Sequence, residues 1–157
     1  MERQVTDALR RFGRGAELWD RELLGSALAA DAELDPRRAT AAWSARSPRL
    51  IGRDTIVDIL MGILAHRVDT THAVGEPRVV VDGGRAHLRA TVDAGHRLIS
   101  DHRIRADITY LCTAELVCAG PRWLLRHIGI DTVRHQGDPT EIYCRAPIGG
   151  RHRLPSG

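Results

Sequence analysis

The apolar positions change period once along the chain. Up to about residue 65 they recur at helical spacing, and from about residue 71 they alternate. In residues 2–12, Val5, Ala8, Leu9 and Phe12 fall on one stripe, which predicts an amphipathic helix. Gly13 and Gly15 are expected to end it. Residues 16–29 predict a second helix, with Trp19, Leu23 and Ala27 on one face and Leu24 and Leu28 beside them. Asp35-Pro36 closes a short extended piece, and the Ala-, Arg-, Ser- and Pro-rich segment 36–51 has no assignable period. Gly52 precedes a third helix at about 53–65, with Ile56, Ile59, Leu60, Ile63 and Leu64 apolar.

Beyond this point the spacing is that of strands. Thr71–Val74 and Arg78–Asp82 are expected to be extended, and Asp82-Gly83-Gly84 is a hairpin signal because glycine accepts positive φ. Residues 85–98 place Ala86, Leu88, Ala90, Val92, Ala94, His96 and Leu98 on one face, with His87, Arg89, Thr91 and Asp93 on the other. Residues 103–118 repeat the pattern with Ile104, Ala106, Ile108, Tyr110, Cys112, Ala114, Leu116 and Cys118. Ala119-Gly120-Pro121 turns the chain into a further strand at 122–134, which ends near Gly137-Asp138-Pro139. Helices followed by an antiparallel meander predict an α+β fold. Long strands twist and curl, so the expected architecture is a cone-shaped barrel: a strongly curved antiparallel sheet wrapped around about three N-terminal helices. Such a cone encloses a cavity, the default ligand site. A single domain is expected over 1–145, with a loose Gly-, Arg- and Pro-rich tail over 146–157.

Composition narrows the chemistry. The 157 residues include 43% hydrophobic, 27% charged and only 4% aromatic positions, so a pocket must be walled mainly by aliphatic side chains. The formal net charge is +3 and the pI near 9.1. Every basic residue besides histidine is arginine, which excludes a lysine nucleophile or Schiff base. The arginines are scattered, without a basic helix or interleaved aromatics, which argues against nucleic acid as a partner. MERQVTDALRRF lacks the apolar centre of a secretory signal, and no apolar run is long enough for a bilayer. A cytoplasmic location and no membrane partner are expected. Cys112, Cys118 and Cys144 fit no zinc spacing and are expected to be buried free thiols. No HxH or HxxxH pair occurs, so no metal is expected. No nucleophile elbow is present.

Several residues could carry chemistry. His96 continues a face otherwise made of Ala, Leu and Val, so alternation turns it inward, as a base or as a satisfied core histidine. His72, in DTTHAV, shares its face with Val74; it is an edge-strand residue or a second acid–base group. Tyr110 lies with Ile108 and Cys112, either as a core aromatic or as a donor to a developing oxyanion. Asp93 and Asp107 point away from the apolar faces. His127 shares its phase with Trp123 and Leu125. The expected substrate-binding set is Phe12, Trp19, Trp43, Ile108, Cys112 and His127.

The ordered segments AELWDRELLGSALAADAELD, LIGRDTIVDIL, DTTHAV, EPRVVVDGGRAHLRATVDAGH and RWLLRHIGIDTVRHQGDP resemble the SnoaL-like proteins. These belong to the nuclear-transport-factor-like superfamily, which also holds scytalone dehydratase and ketosteroid isomerase. The resemblance spans roughly residues 5–140 and rests on order and spacing. It implies that His72 and His96 fall where dehydratases keep pocket histidines. It also implies a cofactor-independent cyclase, dehydratase or isomerase acting on a largely apolar small molecule of polyketide, terpenoid or steroid type. In that reading His72 and His96 form an acid–base pair, and Tyr110 stabilises an enolate. Relatives commonly carry Tyr-Asp just after the first helix, the Asp orienting the first histidine; here Phe12-Gly13 occupies that region, with Asp20, Asp31 and Asp35 the nearest acids considered. Tyr110 stands where Asn is frequent, and Arg134-His135-Gln136 where Trp often precedes Gly-Asp. The alternatives are a non-catalytic binding or assembly module of the same fold, or a cyclase working by conformational control of its substrate. A homodimer is expected in either case.

Overall fold

Gly13 and Gly15 do not end the first helix. In the computed structural model, which describes residues 1–143, α1 runs over Glu2–Leu18. Gly13 faces His72, and Gly15 is a place of close approach to Leu24. A Cβ added at Gly13 would stand 3.4 Å from His72 Cβ, and one at Gly15 would stand 2.5 Å from the Leu24 backbone nitrogen. The helix closes at Trp19, which is left-handed at φ 53°, and the Asp20 N–H bonds back to the Gly15 carbonyl at 2.9 Å. Asp20 then caps α2 (Arg21–Ser26), its carboxylate accepting from the Leu23 N–H at 3.0 Å.

The helix expected over 16–29 is therefore the end of α1, a turn and α2, and the chain passes at once into β1 (Leu28–Asp35). LAADAELD is rich in helix formers, but tertiary pairing overrides that propensity. β1 lies parallel to β7 (Arg122–Gly137), with Leu34 opposite Ile128, and antiparallel to β2 (Leu50–Ile51). The segment without a period holds α3 (Arg37–Ala41) as well as β2. α4 spans Arg53–Leu64, close to expectation.

The remaining strands are β3 (Val68–Val74), β4 (Arg78–Asp82), β5 (Arg85–Leu98) and β6 (Arg105–Ala119), and α5 (Pro139–Tyr143) follows β7. The sheet order is β2-β1-β7-β6-β5-β3, with β4 also on β5. β3 pairs with residues 92–98 of β5 and β4 with residues 85–89, so the two share one edge of a single long strand. The sheet is antiparallel except at β1–β7, curled, and not closed into a ring.

Its inner face carries the core. Leu88, Leu116, Leu125 and Ile128 pack against Val5, Leu24, Ile56 and Met61 from the helices. Fully burying such a side chain contributes about 1.5–3 kcal/mol. Ala86, Ala90 and Ala94 on β5 are small enough to let the helices settle close. A second cluster joins Ala16, Leu64, Val68, Leu98, Ala106 and Ile142.

Two register shifts in β6–β7 leave Arg126 and Val133 without a partner residue. After the first, the inward phase passes from Leu125 to Ile128, and His127 turns to the outer face. Cys112 is buried, but Cys118 is exposed where β6 runs past the core, its thiol 3.5 Å from the Gly120 carbonyl. Asp93 faces outward and accepts from the Thr109 hydroxyl at 2.6 Å. Cys144 and the tail expected at 146–157 lie outside the described residues. Among the described residues, no helix is long and apolar enough to cross a membrane.

Candidate active site

Cross-strand register brings the two histidines to one wall. Thr70 lies opposite His96, and His72 lies opposite Ala94, so the histidines are diagonal neighbours on the inner face of β3 and β5. β6 extends the wall: Ala106 lies opposite His96, Ile108 opposite Ala94, and Tyr110 opposite Val92. Ile108 and His96 are buried, and Tyr110 is partly covered.

Helix α1 supplies what the sequence reading lacked. Glu17 Oε1 accepts the backbone N–H of His72 at 2.6 Å and lies 3.3 Å from His72 Nδ1. Gly13 and Glu17 are four residues apart, one turn of the same helix face, so the acid sits one turn beyond Gly13. Gly13 faces the His72 side chain, with room for an ordinary van der Waals contact. Burial holds the His72 pKa below its ordinary value, while the neighbouring Glu17 charge and hydrogen bond pull it upward. The ring is thus neutral near pH 7. With Nδ1–H directed to the carboxylate, Nε2 carries the lone pair. The other acids considered are engaged elsewhere: Asp20 caps α2, Asp31 pairs with Arg126 at 3.2 Å, and Arg37 beside Asp35 holds that carboxyl at about 2.

His96 is 6% exposed, and burial, followed by the nearby His72, pushes its pKa down to about 3. Its Nδ1 is hydrogen-bonded to the hydroxyl of Tyr143 on α5, and its Nε2 is buried without a partner among the described residues. The His96 ring stands edge-on to Tyr143 (centroids 5.4 Å apart) and to Tyr110 (6.3 Å). Trp43 packs against Tyr143 with centroids 6.0 Å apart, and its indole N–H is also buried without a partner among the described residues. Burial raises both phenol pKa values, so Tyr110 and Tyr143 are protonated donors. A cleft of about 450 Å³ runs along α1 beside this wall, lined by Gly13, Glu17, His72 and Val74 with Arg10 and Arg14.

The fold brings together His72, His96, Tyr110 and Ile108, and reaches Trp43 through Tyr143. The other expected contacts serve packing or lie elsewhere. Phe12 packs on the main core. Trp19 donates its indole N–H to the Val68 carbonyl at 3.2 Å and lies 4.9 Å from the His66 ring. Cys112 sits in the main core with its thiol pushed up to about 12. His127, its side chain 41% exposed, lies 4.0 Å from Glu33 on the outer face, away from the histidine wall. Glu17 and Tyr143 were not anticipated. Glu17 shares a helix face with Gly13, a signal visible only once α1 is carried past that glycine, whereas no local pattern marks Tyr143, 47 residues from its partner. Among the described residues no group of three His, Cys, Asp or Glu side chains is gathered to hold a metal ion.

The profile of the SnoaL-like domain matches residues 1–128. Solved structures share the architecture. The Kfla4162 protein of Kribbella flavida superposes with a TM-score of 0.75 at 17% identity, covering 86% of this chain and 92% of that one. A Novosphingobium aromaticivorans protein assigned as a scytalone dehydratase gives 0.73 at 18%, covering 87% and 86%. The hexachlorocyclohexane dehydrochlorinase LinA-type3 of Novosphingobium barchaimii gives 0.70 at 14%, covering 87% and 88%. At these identities the likeness is one of fold. No curated protein sequence matches the chain.

Proposed function

Because the chain belongs to the SnoaL-like domain family, we propose that it is a small-molecule lyase or isomerase in which His72, held by Glu17, takes a proton from carbon. The observation that carries this reading is the Glu17–His72 pair: a neutral imidazole with a fixed tautomer, backed by a carboxylate, at the edge of a cleft. A general base in such a setting contributes about 10²–10⁴-fold in rate. His72 Nε2 removes a proton next to a carbonyl. The imidazolium that forms lies against Glu17, which stabilises it. Negative charge then moves to the carbonyl oxygen, where His96 and Tyr110 offer hydrogen bonds. The His72 imidazolium then returns its proton: to a departing β-hydroxyl, which leaves as water in a dehydration; to another carbon in an isomerisation; or to the alkoxide formed when the enolate carbon attacks a second carbonyl in a cyclisation. None of these steps requires a cofactor.

Val92, Ala94, Ile108 and the Tyr110 ring favour a largely apolar substrate, of the polyketide, terpenoid or steroid type. That two neighbours of this fold are named for scytalone dehydration and for hexachlorocyclohexane dehydrochlorination supports an elimination. A second reading, a non-catalytic binding module, is favoured by the closure of the interior over His96. The test is turnover of a panel of β-hydroxyketones, followed by appearance of the enone. H72Q is expected to lose at least about 100-fold in kcat with its fold intact. A folded H72Q/H96Q double variant as active as the parent rejects the catalytic reading.

A further inference from the structure

We infer that Tyr143 is a positioning residue that donates its hydroxyl proton to His96 Nδ1, holds the ring in the Nε2–H form, and so selects substrates that present an acceptor oxygen to that N–H. The inference deepens the proposed function and rests on it for the site, but not for the state of the ring.

The argument is a count of hydrogen-bonding groups. The Tyr143 hydroxyl and His96 Nδ1 are partners, and His96 Nε2 is buried with none among the described residues. If the phenol donates, one buried group lacks a partner, the Nε2–H. If Nδ1 carried the proton instead, the phenol proton would have no acceptor in this contact and Nε2 would be a bare buried lone pair. Two orphaned groups replace one, and each costs about 1–3 kcal/mol. The donating arrangement is therefore the stable one.

The backbone is built to deliver this contact. Gly137 ends β7 at φ 78°, and a Cβ there would stand 2.3 Å from the Arg105 carbonyl oxygen, so only glycine lets the chain pass so close to β6. Pro139 then opens α5, and Ile142 anchors it in the second core cluster, leaving Tyr143 against His96.

The consequence is an opposition between diagonal neighbours. Glu17 can only accept, so it fixes His72 with Nε2 as an acceptor; Tyr143 donates, so it fixes His96 with Nε2 as a donor. The Trp43 indole, packed on Tyr143, adds a second buried unpartnered donor. A carbonyl or enolate oxygen answers such donors, and a carbon-bound halogen does so poorly.

Two measurements on the full chain test this. Long-range ¹H–¹⁵N correlation of the imidazole rings at neutral pH should report His96 as Nε2–H and His72 as Nδ1–H. In Y143F the His96 ring should lose its single tautomer while His72 keeps its own. A wild-type His96 protonated on Nδ1 overturns the proposal, whether or not Y143F folds. Binding of 2-acetylnaphthalene should exceed that of 2-isopropenylnaphthalene, which replaces the carbonyl oxygen by a methylene, by about 10-fold, one good hydrogen bond. Y143F and W43F should each narrow the gap. Equal binding of the two probes by the wild type also overturns the proposal. Failure of the proton-transfer reading would appear separately, as an active H72Q/H96Q enzyme with the His96 tautomer unchanged.

Discussion

Glu17 holds His72 at two points, accepting its backbone N–H at 2.6 Å and standing 3.3 Å from its ring Nδ1, from one helical turn beyond Gly13. The backbone contact fixes where β3 meets α1, and the ring contact fixes the tautomer. These roles separate by substitution. E17Q keeps an acceptor oxygen and should retain the fold, but it cannot neutralise an imidazolium. Its kcat should fall by about 10²-fold with KM little changed, because the lost interaction matters only after proton transfer. E17A should lose both the rate and some order in β3. Steady-state kinetics on the two variants, with circular dichroism as the fold control, checks this. Equal kcat in E17Q and wild type would remove Glu17 from the mechanism.

Much of the sheet was legible because one face of each strand is buried. β5 alternates exposed and covered residues along its length, so its apolar set named its inner face and placed His96 there. The Asp82-Gly83 turn was equally plain, since Gly83 adopts φ 59°. What escaped depended on contacts distant in sequence. Gly13 and Gly15 read as breakers because α1 runs through both, and the reason for Gly15 to be glycine lies in Leu24, distant in the pattern. Leu28 and Ala29 of β1 fell within the expected helix, because the Ala and Leu content there conceals where pairing with β7 begins. With the helix cut at Gly13, Glu17 lost its place on the face of α1 that meets His72. Tyr143 sits on a five-residue helix with no amphipathic signal.

The two glycines of α1 should respond to alanine in opposite directions. At Gly13 an added Cβ makes an ordinary contact at 3.4 Å, and the helix gains from the better helix former. G13A should be neutral to stabilising, by up to about 1 kcal/mol. At Gly15 the Cβ would press to 2.5 Å on the Leu24 nitrogen and 2.6 Å on its Cα, backbone atoms that cannot step aside without moving α2. G15A should cost about 1–3 kcal/mol as overpacking. Urea denaturation midpoints at constant m decide it, and a destabilised G13A beside a neutral G15A would contradict the packing described.

Stability should decline on the acid side of neutrality, with His96 as a main cause. Its pKa falls from an ordinary 6.5 to about 3 on folding, so between these values the unfolded chain binds a proton that the folded chain does not. Stability therefore rises with pH across this window and is complete above about 6.5. One proton corresponds to about 1.4 kcal/mol per pH unit at full difference. His72, also lowered, acts in the same direction. Denaturant unfolding from pH 4 to 7 should give a steep slope in wild type and a shallower one in H96Q. Parallel slopes would mean that His96 does not fold as a neutral ring.

His127 should be dispensable for turnover, and its position explains why. The register shift at Arg126 inserts one residue between Leu125 and His127, so the histidine leaves the phase of Trp123 and Leu125 and meets Glu33 and Glu115 on the outer face. The contact with Glu33, at 4.0 Å between half-exposed groups, is of the kind worth about 0–1 kcal/mol. H127A should then leave kcat and KM within about twofold of wild type and shift stability by no more than about 1 kcal/mol. Leu125, two residues earlier and fully buried, sets the contrast: L125A should cost about 2–5 kcal/mol. A large kinetic defect in a stable H127A variant would place His127 back at the site and require a β7 without its bulge.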